Sequence, residues 1–254
     1  MTEAVPIRDA STVVLLRDSA SGIEVWLLTR VQQMVFAGGM TVFPGGRVDD
    51  ADAALPFAGD GVALVATRFD CPDALARGLL GAAVRETFEE TGVLLTSPVV
   101  DLSGARTDVE AGRVSFGELL RANSVAVDSA ALVPWSRWVT PEGEVRRYDT
   151  RFFVGAMPDD AEARDVTTES SHAAWVGVAE ALELAQRGER KMLPPTLATL
   201  ASLLPFANVA EALAAANTRS LDAIRPLIKV EDDGRIIAYL PGGESVEIPR
   251  AMLG

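Results

Sequence analysis

One short segment near the middle of the chain, residues 82–94, constrains the fold more than any other part of the sequence. It reads Ala-Ala-Val-Arg-Glu-Thr-Phe-Glu-Glu-Thr-Gly-Val-Leu. Residues three or four apart share a face of an α-helix, so Glu86, Glu89 and Glu90 would project together. The opposite face carries apolar and small side chains, namely Leu80, Val84, Phe88 and Thr91. The pattern predicts a helix with a buried apolar back and an acidic front, ended by Gly92.

The acidic front has two interpretations. A solvated face is common in a chain with 36 Asp and Glu residues. Three carboxylates this close nevertheless repel one another unless a cation neutralises them, and hard cations such as Mg²⁺ take oxygen ligands. The upstream sequence Phe43-Pro44-Gly45-Gly46 favours a cation site, because a Gly-Gly turn after proline lets the backbone approach a ligand closely.

The turn and the acidic helix together resemble the box of the Nudix hydrolase family. That box runs Gly, five residues, Glu, seven residues, then Arg-Glu-aliphatic-x-Glu-Glu-x-Gly-aliphatic. The second half is matched by Arg85, Glu86, Glu89, Glu90, Gly92 and Val93, with Thr87 in place of an aliphatic residue. The first half departs, because the position counted forward from Gly46 holds Asp52 and the position counted back from Arg85 holds Arg77. About 25 residues therefore interrupt the box.

This interruption is similar to the Nudix branch that includes the peroxisomal acyl-coenzyme A diphosphatases. Three further segments resemble that branch: 36–39, 134–138 and 147–153. The resemblance spans roughly residues 11–200 and implies an α/β fold, a Nudix-type α/β/α sandwich with a mixed sheet, an insertion in the box and extra C-terminal helices. We expect one Nudix hydrolase domain over residues 1–254, with a core of about 11–190 and a C-terminal helical extension of about 191–254.

The resemblance also implies the chemistry, which is metal-dependent cleavage of a diphosphate. Mg²⁺ or Mn²⁺ would be held by Glu86, Glu89, Glu90 and the backbone of Gly46. Arg85 resembles the family arginine that orients a box carboxylate. The general base would be Glu86 or, on a later loop, Glu169. The residues expected to contact substrate are Arg30, Phe43, Gly45 and Gly46.

Two function classes follow. The leading one is a hydrolase of a nucleoside diphosphate linked to another group, with coenzyme A or acyl-coenzyme A first because of the inserted box. NADH, ADP-ribose and dinucleoside polyphosphates are the alternatives within that class. The second class is a noncatalytic Nudix-fold module that binds a nucleotide and regulates a partner. Such modules typically lose box carboxylates, so retention of Glu86, Glu89 and Glu90 favours the enzyme.

The composition of the chain limits the kinds of ligand and partner that it could bind. A formal net charge of −13 argues against a nonspecific grip on nucleic-acid phosphates. One histidine, His172, argues against an imidazole zinc site, and one cysteine, Cys71, rules out an internal disulfide. The start of the chain lacks the basic end and apolar core of a secretory signal, so we expect a cytoplasmic enzyme. Its expected partner is a small-molecule nucleoside diphosphate. We expect it to bind neither nucleic acid nor membrane, and the oligomer to test for is a homodimer.

Periodicity predicts the remaining elements. Strands are expected at 11–17, 23–30, 132–139, 147–156, 173–177, 226–231 and 235–240. Helices are expected at 74–91, 115–122, 178–187, 195–204 and 207–217. Gly78 and Gly81 weaken the first of these, so it is predicted to begin nearer Leu80.

Three further expectations concern particular segments. Residues 47–72 should form an inserted loop that helps to hold the substrate, so shortening it should raise KM more than it lowers kcat. Its acidic start, with Asp49, Asp50 and Asp52, is expected to be solvated rather than to bind metal. Trp135 and Trp138 are expected in the core rather than stacked on a ligand. The apolar stretch from Leu193 to Ala216 should be two amphipathic helices rather than a membrane span, because three prolines interrupt it.

Overall fold

The computed structural model describes residues 5–32, 38–142, 144–164, 170–240, 243 and 245–248. The strands are β1 (Ile7–Ser19), β2 (Gly22–Arg30), β3 (Thr41–Val42), β4 (Gly45–Arg47), β5 (Phe57–Ala58), β6 (Thr96–Ser97), β7 (Ala126–Asp128), β8 (Val133–Val139), β9 (Arg147–Ala156), β10 (Ser170–Gly177), β11 (Ala223–Ile224), β12 (Leu227–Val230), β13 (Ile236–Tyr239) and β14 (Ser245–Ile248). The helices are α1 (Gly61–Phe69), α2 (Asp73–Thr91), α3 (Arg106–Glu110), α4 (Phe116–Ala122), α5 (Val178–Gln186), α6 (Pro194–Leu203) and α7 (Val209–Ala216).

A mixed sheet forms the centre of the molecule. Its strand order is β10-β2-β1-β9-β8-β11, with β3 paired to β2 and β4 paired to β1. Strands β1 and β2 form the predicted antiparallel hairpin, whereas β1 and β9 run parallel. The short strands β3 and β4 continue from β2 back to β1, so the Gly45-Gly46 turn lies against β1, with Gly46 opposite Ser11.

Helices cover both faces of this sheet, which confirms the α/β/α sandwich. Alternation along β1 shows the two layers, because successive side chains of a strand point to opposite faces. Val13 and Leu15 belong to the core on the α2 side, together with Phe88. Val14 and Leu16 belong to the second core, which packs against α5, α6 and α7.

Helix α2 carries the acidic segment and matches the predicted range of 74–91 to within one residue. It begins at Asp73, so the prediction of a start nearer Leu80 was wrong. Gly78 and Gly81 are tolerated because neighbouring chain approaches them closely: a side chain at Gly81 would overlap the backbone carbonyl of Asp52. Close packing here outweighs the low helix propensity of glycine.

The inserted segment is a packed substructure rather than a loop, and Asp52 in its acidic start is buried rather than solvated. It forms a single 3₁₀ turn at Asp52–Ala54, then β5 and helix α1. Leu55, Val65 and Phe69 are buried in the core on the α2 side. Strand β5 pairs in parallel with β7, outside the main sheet.

The C-terminal part confirms two helices, α6 and α7, in place of the apolar stretch. No helix in the described ranges is long and apolar enough to cross a membrane. Trp135 and Trp138 are both buried, as predicted. The hairpin of β12 and β13 is present, and β14 adds a third strand that the sequence pattern did not reveal.

Candidate active site

Arg85 is the centre of the acidic cluster. Its Nε and Nη2 donate to Oδ1 and Oδ2 of Asp52 at 2.8 and 3.0 Å. Its Nη1 donates to Glu86 Oε1 at 2.7 Å and lies 3.6 Å from Glu89 Oε2. Nη2 also donates to the backbone carbonyl of Arg47 at 3.0 Å, next to the Gly-Gly turn. One guanidinium therefore joins the turn, the inserted segment and the acidic helix.

Asp52 reaches this cluster although about 25 residues interrupt the box. Its side chain is almost fully buried and accepts the backbone N–H of Asp49 at 2.8 Å. Its two oxygens form the bidentate pair with Arg85, a geometry that fixes both side chains. Arg77, the other position considered, does not reach the cluster. Its guanidinium donates to the carbonyls of Ala53 and Leu55 and so supports the inserted segment.

The Gly45-Gly46 turn is fitted to the acidic helix. The Gly45 N–H donates to Glu90 Oε2 at 2.9 Å. Any side chain at Gly46 would overlap the Glu86 carboxylate. Glycine is required there because the backbone must pass directly against that carboxylate. Glu90 thus anchors the turn, and Glu86 and Glu89 lie beside Arg85.

Burial and charge shift two pKa values in the cluster. Burial first, and then the neighbouring Glu86 charge, raise the pKa of Glu89 to about 7 despite the opposing effect of Arg85. Burial alone would lower the pKa of the Arg85 guanidinium. The hydrogen bond to Asp52 and the charges of Glu86, Asp52 and Glu89 outweigh that effect and raise it. The acidic cluster therefore holds more negative charge than Arg85 neutralises.

The predicted metal ligands do not form a complete cation site by themselves. Within the described ranges, no three acidic, His or Cys side chains converge closely enough to hold a metal ion by themselves. Glu90 is directed at the Gly45 N–H, while Glu86 and Glu89 flank one nitrogen of Arg85. A pair of carboxylates still suits Mg²⁺, which takes one or two carboxylates and completes its shell with water and substrate phosphates.

The other predicted site residues lie around the turn. Arg30 ends β2, and its N–H donates to the Met40 carbonyl at 3.0 Å, where the glycine-rich turn begins. The Phe43 side chain is only 3% exposed and belongs to the second core. It therefore anchors the turn by packing in that core. Glu169, the alternative general base, lies outside the described residues.

Arg106 is a structural residue of the site that sequence reasoning missed. It is buried on α3, and its Nη1 donates to the Glu89 backbone carbonyl at 2.7 Å and to Glu110 at 2.8 Å. It therefore stabilises the last turn of α2 through the Glu89 carbonyl. The one sequence signal was an Arg-Glu pair four residues apart, which does not reveal a contact with another helix.

Comparison with known proteins identifies the family. The model of the NUDT19 Nudix domain matches residues 68–203, more than half of the chain. An acyl-coenzyme A diphosphatase NUDT19 from Xenopus laevis is 27% identical over 90% of this chain and 72% of its own length. The Homo sapiens protein of the same name is 30% identical over 64% of this chain and 49% of its own length.

A solved structure is similar along most of the chain. The NUDIX hydrolase from Alicyclobacillus acidocaldarius superposes with a TM-score of 0.70 at 29% identity, covering 83% of this chain and 96% of that one. The fold and the family match agree with each other. This chain belongs to the NUDT19 Nudix domain family and is a Nudix enzyme.

Proposed function

We propose that this enzyme cleaves the diphosphate of coenzyme A or acyl-coenzyme A with Mg²⁺ or Mn²⁺. The observation that carries the proposal is the Arg85 cluster, because it assembles Asp52, Glu86 and Glu89 beside the Gly-Gly turn despite the interrupted box. Similarity to acyl-coenzyme A diphosphatases from Xenopus laevis and Homo sapiens supports the substrate class. The cytoplasmic location and the homodimer stay predictions.

The chain's own residues would have separate roles in this reaction. Glu86 and Glu89 would hold the cations, which supply the positive charge that a diphosphate and its leaving group need. Glu90 keeps the turn in place through the Gly45 N–H, so that the turn's backbone can face the substrate. Arg85 fixes the direction of the Glu86 carboxylate. Such reactions depend on positioning and charge neutralisation more than on covalent catalysis.

The proton acceptor for the attacking water would be Glu86 or Glu169. Glu86 has a defined position, because Arg85 and Gly46 confine it on two sides. Attack must fall on one of the two bridged phosphorus atoms, so the products from coenzyme A would be 3′,5′-ADP and 4′-phosphopantetheine. Monoesters should be poor substrates because the cations need a second phosphate to bind.

The test is hydrolysis of a substrate panel, with products identified by mass spectrometry. We expect coenzyme A and acyl-coenzyme A to be cleaved in Mg²⁺ or Mn²⁺ and not in excess chelator. Glu89→Gln should lower kcat by at least about a hundredfold, the scale of losing one charge-stabilising group. Glu183→Gln, which changes an exposed side chain on helix α5, is the matched control. Undiminished turnover in chelator would contradict metal dependence, and efficient cleavage of NADH or ADP-ribose alone would contradict the substrate.

A further inference from the structure

Two neighbouring cations, Arg190 and Lys191, lie in the segment that joins α5 to α6. Both side chains are half-buried, yet neither forms an ion pair or a side-chain hydrogen bond with any residue in the described ranges. Other half-buried guanidinium groups of the chain have hydrogen-bond acceptors, either a carboxylate, as Arg137 has in Asp149, or backbone carbonyls, as Arg77 has in Ala53 and Leu55. In a protein of net charge −13, two half-buried cations without a carboxylate or a carbonyl acceptor in the described ranges point to an anionic ligand.

These cations lie next to the strand that leads into the Gly-Gly turn. The Thr41 N–H donates to the Lys191 carbonyl at 2.6 Å, and Thr41 pairs in parallel with Met192. Thr41 precedes Gly45 by four residues, a span of at most about 14 Å. On the other side of the same strand lies the end of β2 with Arg30. The backbone of Lys191 therefore lies close to the strand that leads into the turn held by Glu90.

The segment that carries the cations is held rigidly. Met192 is fully buried in the second core. Leu193 packs with Met40, Ile236 and Ala238, which joins the segment to the C-terminal three-stranded sheet. A fixed backbone makes the two side chains a preformed site, since less conformational entropy is lost when they bind a ligand.

We propose that Lys191 and Arg190 bind a phosphate monoester carried by the nucleotide half of the substrate, outside the diphosphate. The inference rests on the proposed function, because coenzyme A has such a phosphate on its ribose. The diphosphate itself belongs at Glu86 and Glu89, where cations would neutralise it. A lysine beside an arginine matches a phosphate dianion through charge-assisted hydrogen bonds.

The first test is calorimetric binding of two nucleotides, 3′,5′-ADP and 5′-AMP. We expect the wild-type protein to prefer 3′,5′-ADP at least about tenfold, the effect of one charge-assisted contact. Lys191→Ala should remove most of that preference, Arg190→Ala part of it, and neither should weaken 5′-AMP. Lys229→Ala is the matched control, because Lys229 is the chain's other lysine and lies on exposed strand β12. Melting temperatures of all variants should equal that of the wild type.

Two results would overturn the phosphate site. One is a wild-type protein without preference for 3′,5′-ADP, and the other is equal weakening of both nucleotides by Lys191→Ala. A parallel assay compares kcat/KM for coenzyme A and for its analogue without the ribose phosphate. Failure of the wild type to cleave either one, with the Lys191-dependent binding preference intact, would contradict the proposed function but retain the site. If coenzyme A and the analogue are both cleaved, and Lys191→Ala keeps the wild-type ratio of their kcat/KM values, the proposed function stands and the phosphate site is rejected.

Discussion

At the scale of single residues, Arg85 depends on Asp52. The pair is bidentate, and Asp52 is almost fully buried, so little solvent screens it. Asp49 lies at the edge of the same guanidinium, 3.9 Å away, and is half exposed. The two aspartates therefore offer a comparison between a buried partner and a solvated one.

We expect Asp52→Asn to lower kcat by at least about tenfold, because Arg85 loses the charge that orients it towards Glu86. The melting temperature should also fall, since Arg85 loses its bidentate, almost fully buried charged partner and keeps only the contacts to Glu86 and Glu89. Asp49→Asn should be close to wild type in both measurements. Steady-state kinetics and thermal unfolding check this. Equal effects of the two variants would show that the pair does not position Arg85.

Glu89 makes the metal-free protein sensitive to pH. Its pKa is about 7 in the folded protein against an ordinary value of 4.5. Between these values the folded state holds a proton that the unfolded chain has lost, so the free energy of unfolding falls as pH rises. In excess chelator we expect the melting temperature to drop by on the order of 5 °C between about pH 5 and pH 8 from this group.

The control is Glu89→Gln, which cannot ionise. Its melting temperature should depend less on pH across the same range and should exceed that of the wild type above pH 7. Added Mg²⁺ should reduce the difference by neutralising Glu89. Identical pH profiles for the two proteins, measured by thermal unfolding in chelator, would contradict the raised pKa.

At the scale of elements, the site depends on close contact between helix α2 and the 3₁₀ turn of the inserted segment. A side chain at Gly81 would overlap the Asp52 carbonyl, whereas one at Gly104 would meet open space. Gly81→Ala should push the turn away and cost about 1–3 kcal/mol through overpacking. It should also lower kcat, because Asp52 would move relative to Arg85.

Gly104→Ala is the matched control for this prediction and should leave both quantities unchanged. Thermal unfolding and steady-state kinetics on the two variants test it. If Gly81→Ala were as stable and active as Gly104→Ala, the contact between α2 and the turn would not be needed to place Asp52.

At the scale of the whole molecule, the inserted segment is part of the core. Phe69 meets Phe153 of β9 edge to face, with ring centroids 5.7 Å apart. Arg77 of α2 covers Phe57 of the insertion at 4.3 Å from the ring centroid. The segment therefore links α2 to the central sheet, and the expectation that shortening it would mainly raise KM does not suit this packing.

We expect deletion of residues 56–70 to abolish the folded enzyme, because it exposes the buried face of α2. Soluble yield, circular dichroism and thermal unfolding would show the loss. Deletion of the exposed tip at residues 232–233, between β12 and β13, is the control and should leave activity intact. A folded, active protein without residues 56–70 would show that the insertion only contacts substrate.

The sequence alone determined the features that depend on local patterns. Helical spacing placed Glu86, Glu89 and Glu90 on one helix, and alternation in β1 and β2 predicted the hairpin. It did not determine what fills the first acidic position of the box, since counting along the chain offered both Asp52 and Arg77. Only the tertiary structure decided in favour of Asp52, because the packed insertion returns that carboxylate to Arg85. The start of α2 at Asp73 was also decided by the tertiary structure. Helix propensity predicts only the local cost of Gly78 and Gly81, whereas Gly81 is needed for a close contact with Asp52, which is distant in sequence.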